Sequence, residues 1–465
     1  MDHSEALRLM TEEKKKIAQG NQERVNKQKE AGKATARERI NNLFDDKSFV
    51  ELDALKVCGV VAGFGTVNGR PAYAFAQDVT EGGAAMSAAQ AKKIIKVLDQ
   101  AALTGAPVVM YPDSNGISLA EGAAALNGYS DVMAALVKLS GVCPVICCIA
   151  GNCPGTASLF SQLADITIQT GKGSLAFASL MVMQKGADKD KTAAQLFGAD
   201  VMAAQGGVAL TAADEAEARS MIAALLDLLP SCNEENAPLN DLDDLNRVIN
   251  GASDLDAAAL VAAIADLGQT VELNKAYGKN TNTTLCRIGG RTCGVIAMNG
   301  EMIGADDMNK IARFVRLCDC YQLPVVTLVN TTGITAPDSC AQVATIKAST
   351  RMLYAYAEAT TVKLSVLTGK AIGKAYTVLG GGKMADVIYA WPQAQIAAVS
   401  EETYNATIGK GDYDDKFSAI AAAKAGLVDD CIDPAETRKV LINAMEFLAT
   451  KHEAAPDRKH GNISL

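Results

Sequence analysis

Hydrophobic and polar positions follow two alternating patterns along most of the chain. Amphipathic segments with apolar residues three and four positions apart predict helices, and short runs of consecutive apolar residues predict buried strands. In "AAQAKKIIKVLDQAALTGAPVVMYPDSNGI", a predicted helix is followed by a short loop, a buried strand and a polar turn that contains glycine. Helices that alternate with strands in this way predict an α/β fold in which helices cover a layered sheet.

The same order of elements occurs twice. The segment quoted above resembles "ADDMNKIARFVRLCDCYQLPVVTLVNTTGI", and "VNGRPAYAFAQD" resembles "IGGRTCGVIAMNG". Two further pairs are "VICCIAGNCPGTASLF" with "KLSVLTGKAIGKAYTV", and "ADITIQTGKGSLAFAS" with "ADVIYAWPQAQIAAVS". The spacing is nearly constant, because Gly116 and Gly333 are 217 residues apart and Gly155 and Gly373 are 218 apart. Four matches in the same order predict two copies of one α/β domain.

The domain boundaries are predicted from the composition on either side of the two copies. Residues 1–45 have charged faces and predict an N-terminal helical segment. The first domain is expected over residues 46–230 and the second over residues 271–465. Residues 231–270 form the predicted linker, since they begin with the polar stretch "SCNEENAPLNDLDDLNRVINGASDLD", which is poor in β-branched residues.

Each copy has two glycine turns after buried strands, at Gly116 and Gly155 in the first and at Gly333 and Gly373 in the second. The second turn of each pair precedes a helix-like segment, where backbone N–H groups point outward without intrahelical acceptors. Together with an N–H group of the first turn, they would form an oxyanion hole for an enolate oxygen. Glycine would let the ligand approach the backbone. The alternative is that these are ordinary turn glycines.

Histidine and cysteine usage limits the possible chemistry. The only histidines are His3, His452 and His460, all near the ends of the 465-residue chain. A Ser-His-Asp triad or a histidine-based metal site in the body of the protein is therefore not expected. None of the 12 cysteines forms a C-x-x-C pair, so we predict no metal site. The remaining candidates for chemistry are carboxylates, lysine, tyrosine and backbone amides.

Charge and hydropathy indicate where the protein works. The net charge of −9 argues against binding to nucleic acid or to an anionic membrane surface. No segment approaches the roughly 20 consecutive apolar residues of a membrane span. The beginning, "MDHSEALRLMTEEKKKIAQG", is charged throughout and lacks the apolar region of a signal peptide. We therefore expect a cytoplasmic protein.

Several segments resemble one known family. They are "GKATARERINNLFDDKSFVE", "GFGTVNGRPAYAFAQD", "QAALTGAP", "VKLSGVCPVICCIAG", "RMLYAYAEATTVKLSV", "YAWPQAQIA", "GLVDDCIDPAETRKVL" and "KHGNISL". Through them, nearly the whole chain resembles the carboxyltransferase subunits of biotin-dependent acyl-CoA carboxylases, transcarboxylases and decarboxylases. The resemblance implies two tandem crotonase-like domains of the ClpP/crotonase superfamily.

The resemblance also implies an activity and partners. The protein would move a carboxyl group, through an enolate, between biotin and a short-chain acyl-CoA such as propionyl-CoA or methylmalonyl-CoA. The first domain would bind the acyl-CoA and the second would bind carboxybiotin, carried on a separate biotin carboxyl carrier protein or domain. Other implied partners are a biotin carboxylase or a membrane decarboxylase subunit. Further copies of the chain would form a hexamer, with the site between the first domain of one subunit and the second domain of another.

The family pattern implies which residues line the two oxyanion holes. The first hole would hold the thioester oxygen with amides of Gly116, Gly155 and Thr156. The second would hold the ureido oxygen of biotin with amides of Gly333, Gly373, Lys374 and Ala375. By the same pattern, the biotin-binding residues would be Gly333, Ile334, Lys374 and Ala375.

Two alternatives remain at this point. A biotin-independent crotonase-like hydratase or isomerase would need carboxylates facing a hole, and Glu81 and Glu121 are the candidates. Glu121 is equally well explained as an acid at a helix N-terminus. A diverged, non-catalytic scaffold subunit of a decarboxylase complex is the second alternative, because the hole motifs differ from the family. "CPGTA" and "IGKAY" stand where relatives have CAGGA and YGGAY.

Overall fold

The computed structural model describes residues 2–178, 189–335, 338–339, 341–379, 381–409, 411–454 and 456–462. The last three residues of "KHGNISL", part of the family resemblance, lie outside the described residues. The chain divides into two compact units, Met1–Glu235 and Asn236–Leu465, which we call the first unit and the second unit. The division falls within the predicted linker, residues 231–270.

The first unit is built around a mixed β-sheet. Its strands are β1 (Val50–Glu51), β2 (Val60–Val67), β3 (Arg70–Gln77), β4 (Val108–Tyr111), β5 (Val145–Ile149), β6 (Asn152–Pro154), β7 (Ile166–Thr170), β8 (Ser174–Ala176) and β9 (Leu210–Ala212). The described strands form a sheet in the order β1-β2-β3-β4-β5-β7-β9, and β6 pairs separately with β8. β2 and β3 form an antiparallel hairpin, and successive pairs from β3 to β9 are parallel.

Helices cover this sheet. The helices described in the first unit span His3–Gln19, Gln22–Glu30, Ala36–Leu43, Ala88–Thr104, Ala123–Leu139, Leu159–Leu163, Ala193–Phe197, Ala199–Ala204 and Glu215–Leu228. Local sequence explains the bounds of Ala88–Thr104, because the Ser87 side chain accepts the N–H of Gln90 and Gly105 ends the helix in the left-handed conformation. Its buried residues include Ala91, Ile94, Leu98 and Ala101, three and four positions apart.

The second unit repeats this architecture. Its strands are β10 (Thr270–Leu273), β11 (Thr281–Ile288), β12 (Arg291–Met298), β13 (Val325–Thr331), β14 (Lys363–Ile372), β15 (Val387–Ala390), β16 (Gln395–Ala397) and β17 (Asp430–Cys431). Their order is β10-β11-β12-β13-β14-β15-β17, with β16 paired to β14. Helices described in this unit span Ala257–Ile264, Ala305–Cys320, Gln342–Glu358, Lys374–Leu379, Glu401–Thr407, Tyr413–Lys416, Ala419–Lys424 and Thr437–Phe447.

The structural repeat includes a helix that precedes the first strand of each unit. Helices Ala36–Leu43 and Ala257–Ile264 are each eight residues long and start 221 residues apart. Both begin after a side-chain N-cap, at Thr35 and Asp256. Each helix buries one face, so that Arg39 in the first unit occupies the place of Leu260 in the second. The repeat thus extends into residues 1–45 and 231–270.

A carboxylate holds the hairpin turn of each unit. Asp45 accepts the N–H groups of Asn68 and Gly69 at 2.9 and 2.8 Å. In the second unit, Asp266 accepts those of Gly289 and Gly290 at 2.8 and 2.6 Å. The same carboxylate contact therefore fixes both hairpins at the start of their sheets.

The described part of the chain contains neither a membrane-spanning helix nor a cluster of metal-binding side chains. None of its helices is both long and apolar enough to cross a membrane. No group of three or more His, Cys, Asp and Glu side chains within the described residues could hold a metal ion.

Candidate active site

The first turn of each unit follows a buried strand and is closed by a hydroxyl group. After β4, the N–H of Gly116 donates to Ser114 Oγ at 3.0 Å. After β13, the N–H of Gly333 donates to Thr331 Oγ1 at 3.2 Å. Each hydroxyl lies two residues before its glycine, so the two turns make the same hydrogen bond. In this structure, the amides of both glycines already have an acceptor within their own turn.

All four turn glycines have positive φ angles. These are +111° at Gly116, +56° at Gly155, +135° at Gly333 and +62° at Gly373. Residues other than glycine rarely adopt positive φ angles, so the backbone conformation of these turns favours glycine at all four positions. A Cβ atom added at Gly116 or Gly155 would meet no atom within 4 Å, whereas one at Gly373 would lie 3.2 Å from the carbonyl oxygen of Ala398.

The second turn of the first unit leads directly into a helix. A single 3₁₀ turn, Gly155–Ser158, precedes the helix Leu159–Leu163. Pro154 pairs with Ala176 in the parallel β6–β8 ladder, and because proline has no N–H group, this pairing uses the N–H of Gly155. Thr156 is half-buried and is the second residue of the 3₁₀ turn. Its N–H has no acceptor within that turn and can donate to an oxygen atom of a ligand.

The second turn of the second unit has a related arrangement. The N–H of Gly373 donates to Ala397 O at 2.7 Å and is therefore occupied. The helix Lys374–Leu379 begins directly afterwards. Its first two amides, those of Lys374 and Ala375, have no acceptor within the helix. Gly373 and Lys374 therefore correspond in this turn to Gly155 and Thr156 of the first unit.

A cavity of about 540 Å³ adjoins the start of this helix. Alanine residues, Phe417 and Leu427 supply most of its apolar wall, and the side chains of Lys374 and Lys416 add positive charge. Lys374 is exposed, and its amine has no ion-pair partner among the described residues. Lys416 Nζ lies 5.4 Å from the ring centroid of Tyr404, which holds this cation in place. The cavity can accept a compact, mainly apolar ligand with a polar or negatively charged edge.

The structure places the first turn of each unit beside the second. In the first unit, Ser114 N donates to Asn152 O at 2.8 Å, and Asn152 N donates to Asp113 Oδ1 at 3.0 Å. In the second unit, Lys370 N donates to Asn330 Oδ1 at 3.1 Å. Each unit therefore brings its two predicted turn sites together through a polar side chain at the end of the central strand.

These polar side chains, Asp113 and Asn330, were missed by the sequence analysis. Each fills the space beside a glycine, since a Cβ atom added at Gly151 would overlap Asp113 and one added at Gly369 would overlap Asn330. The available signal was positional: both residues stand three positions before a turn glycine and are 217 residues apart. The chemical difference between the two residues concealed this equivalence.

The carboxylates considered for hydratase chemistry have other positions. Glu121 Oε2 accepts the N–H of Ala88 at 2.8 Å, at the first residue of the helix Ala88–Thr104. This contact gives Glu121 the helix-terminal role that the sequence analysis kept as an alternative. Glu81 lines a separate cavity of about 340 Å³ in the first unit, together with Lys16 and Cys58.

Two aromatic side chains of the second unit, Trp391 and Tyr376, hydrogen-bond to other parts of that unit. Trp391 is 3% exposed, and its Nε1–H donates to Thr437 Oγ1 at 2.9 Å. Tyr376 donates from its hydroxyl to Leu427 O at 3.0 Å, and burial raises the pKa of this phenol above its usual value. Both aromatic residues thus have a structural partner.

Comparison with protein families identifies one match over most of the chain. Residues 27–463 match the family described as the carboxyl transferase domain. The methylmalonyl-CoA carboxyltransferase 12S subunit of Propionibacterium freudenreichii subsp. shermanii is 36% identical, over 96% of this chain and 94% of that protein. The methylmalonyl-CoA decarboxylase subunit alpha of Veillonella parvula is also 36% identical, over 99% of both chains.

A solved structure matches the fold. The crystal structure of transcarboxylase 12S, described as a hexamer with hydrolysed methylmalonyl-coenzyme A bound, superposes with a TM-score of 0.95. It is 33% identical in sequence, and the match covers 100% of this chain and 99% of that one. The predicted fold class, two tandem crotonase-like α/β domains, is confirmed by this match together with the repeated sheets.

Proposed function

The chain belongs to the carboxyl transferase domain family, and we propose that it is the carboxyltransferase subunit of a biotin-dependent enzyme. It would transfer a carboxyl group between biotin and a short-chain acyl-CoA, such as propionyl-CoA or methylmalonyl-CoA. The observation that carries this proposal is the pair of equivalent glycine turns, each followed at once by a helical turn whose first amides have no acceptor within that helical turn. They provide one place for negative charge in each unit, without any histidine.

The first unit would bind the acyl-CoA. In the direction of decarboxylation, the bond between the α-carbon and the carboxyl group breaks, and its electron pair moves towards the thioester oxygen. The amide of Thr156 would donate to that oxygen as its negative charge develops, and Gly155 would shape the turn. Gly116 lies in the neighbouring turn and completes the wall of this hole. Because the donors are fixed before the reaction, they stabilise the enolate without a reorganisation cost.

The second unit would hold biotin, and its cavity fits such a group. A volume of about 540 Å³ with apolar walls suits a compact ring system with an apolar body. Gly333, Ile334, Lys374 and Ala375 would hold it, and of these four residues Lys374 lines the cavity. When bound, biotin supplies the nitrogen atom that carries the carboxyl group. The amides of Lys374 and Ala375 would donate to its ureido oxygen, and Gly373 would shape the turn.

The proposed partners follow from this role. Biotin would arrive on a separate carrier protein or domain, in a cytoplasmic complex with a biotin carboxylase or a membrane decarboxylase subunit. We also propose a homohexamer, because the matching transcarboxylase 12S structure is described as a hexamer assembly. The net charge of −9 agrees with the absence of a nucleic-acid partner in this proposal.

A carboxyl-transfer assay tests the proposal. Purified protein is incubated with free biotin or biocytin and with malonyl-CoA, methylmalonyl-CoA or glutaconyl-CoA, and loss of the carboxylated thioester is followed. We expect biotin-dependent loss of one thioester, which also identifies the substrate. Loss of none of the three, in a folded oligomer, would contradict the proposal as stated.

A non-catalytic scaffold is the second candidate function. The observation in its favour is that the amides of Gly116 and Gly333 are bonded to Ser114 and Thr331, which removes one predicted donor from each turn pair. Titration calorimetry with the three thioesters separates the candidates. A scaffold that has lost the site binds none of them, whereas a carboxyltransferase binds its substrate.

A further inference from the structure

A buried ion-pair network lies behind the first-unit hole. Arg39 Nη1 lies 2.8 Å from Asp113 Oδ2, and Arg39 Nε lies 3.0 Å from Glu215 Oε2. Burial by itself would lower the pKa of Arg39, but Asp113 and Glu215 outweigh it and raise this pKa above its usual value. Arg39 Nη2 also donates to Ala150 O at 3.2 Å, so the guanidinium contacts the turn backbone directly.

Asp113 connects this network to the turn that leads to the hole. Its Oδ1 accepts the N–H of Asn152, the first residue of β6, and its Oδ2 is held by Arg39. β6 continues to Pro154 and is followed at once by Gly155. Gly155 and Thr156 are thus only three and four residues from a backbone position that the buried carboxylate fixes.

Further contacts come from the segment before Arg39. Gln28 Nε2 donates to Asp113 Oδ2 at 3.1 Å, and Lys33 Nζ lies 3.4 Å from Asn152 Oδ1. Ala34 N donates to Glu215 Oε1 at 3.1 Å. The N-terminal helical region therefore encloses the support of the turn.

The second unit performs the same structural task without charges. Leu260 stands at the place of Arg39, and Asn330 at the place of Asp113. Asn330 still accepts the N–H of the following strand, from Lys370. The fold therefore does not need an ion pair at this position. Buried ion pairs are also weak contributors to stability, because desolvation offsets their attraction.

We propose that Arg39 and Asp113 are positioning residues for carboxyl transfer, an inference that rests on the proposed function. Asp113 holds Asn152, at the start of the short strand that leads to Gly155, so that the amide of Thr156 keeps its place in the hole. Arg39 fixes that carboxylate and neutralises it, because an uncompensated negative charge behind the hole would oppose the enolate. Neither side chain contacts the reacting atoms in this proposal.

The test installs the uncharged pair of the second unit in the first. The double variant Arg39→Leu, Asp113→Asn keeps an acceptor for Asn152 and removes both charges. In the carboxyl-transfer assay, we expect kcat to fall about 10- to 100-fold, with KM for the thioester changed less than about threefold. A purely structural role would leave kcat of the folded variant unchanged.

The control removes another buried cation of the first unit. Lys93 Nζ lies 3.2 Å from Glu51 Oε1, away from both turns, and Glu51 keeps Arg37 as a second partner at 2.8 Å. Lys93→Met should lower the melting temperature while leaving kcat within about twofold of the wild type. A drop in kcat as large as in the double variant would overturn the positioning role.

Hydrogen exchange provides a readout that does not depend on activity. We expect the amides of Asn152, Cys153 and Gly155 to exchange at least about fivefold faster in the double variant than in the wild type, with unchanged exchange in β2 and β3. If the wild type transfers no carboxyl group, the proposed function fails, and exchange alone decides whether the pair positions the turn. Unchanged exchange at these three amides would overturn the inference in either case.

Discussion

The guanidinium of Arg438 donates to Asp266 Oδ1 at 2.6 Å, and Asp266 in turn accepts both amides of the second-unit hairpin turn. Arg438 is fully buried, and Asp266 is 6% exposed. The pair joins the helix Thr437–Phe447 to the hairpin of β11 and β12. One carboxylate therefore connects the last described helix of the second unit to the start of its sheet.

Removing this carboxylate should destabilise the protein strongly. Asp266→Ala leaves the charge of Arg438 buried without its closest partner, and we expect a loss of about 3–5 kcal/mol in the free energy of unfolding. Asp45→Ala is the matched control, because Asp45 holds the equivalent hairpin turn but is only half-buried and is not enclosed against a buried arginine. Urea denaturation of both variants checks the prediction, and equal losses would contradict it.

Lys310 should make the free energy of unfolding vary with pH in the alkaline range. Burial lowers the pKa of its amine to about 8, while Nζ donates to Thr281 O at 2.6 Å. Because the unfolded chain binds the proton more tightly, stability should rise between pH 8 and the pKa of about 10.4 in the unfolded state. The gain is roughly 3 kcal/mol at most.

The matched variant is Lys310→Met, which cannot titrate. We expect the difference in free energy of unfolding between wild type and variant to move in favour of the wild type from about pH 7.5 to about pH 9.5. Urea denaturation at both pH values measures it. A difference that stays constant would show that this amine titrates as in the unfolded chain.

The first amide of the helix Lys374–Leu379 can be removed without removing the helix. Proline is well tolerated at the first helical position and has no N–H group. Lys374→Pro should therefore lower kcat about 10²- to 10³-fold, as expected for loss of one oxyanion donor. Lys374→Gly keeps the N–H and lacks only the side chain. The proposal requires the glycine variant to retain far more activity than the proline variant.

Adding a methyl group at Gly155 should lower the stability of the protein only slightly but should lower its activity. Its φ angle of +56° and open surroundings mean that Gly155→Ala costs only backbone strain, about 1–2 kcal/mol. Gly69→Ala is the control, since Gly69 also has a positive φ angle, +78°, and open space around it. Both variants should unfold with similar losses, but only Gly155→Ala should lower kcat. Equal kcat values would place the hole elsewhere.

Glu121 distinguishes carboxyl transfer from hydration. Its carboxylate caps the helix Ala88–Thr104 through Ala88 N, so Glu121→Gln should leave carboxyl transfer within about twofold of the wild type. A hydratase would use a carboxylate as its acid and base and would lose about 10²-fold or more on this change. Assays of carboxyl transfer and of enoyl-CoA hydration on the same variant decide between the two.

The sequence by itself was sufficient to predict the alternating helices and strands, the duplication and the positions of the turn glycines. These features are local, since amphipathic helices, apolar strands and left-handed turns each depend on residues close together in the chain. The equivalence of Gly116 with Gly333 and of Gly155 with Gly373 was visible for this reason. All four glycines have positive φ angles in the structure.

Only the tertiary structure decided which amides are unpaired and what supports them. Ser114 and Thr331 occupy the amides of their turns, and Ala397 occupies that of Gly373. Arg39 meets Asp113 across 74 residues of sequence, and no local pattern encodes such a contact. Hydrogen-bond partners depend on how distant segments pack, because a backbone amide donates to whichever acceptor the fold brings within about 3 Å.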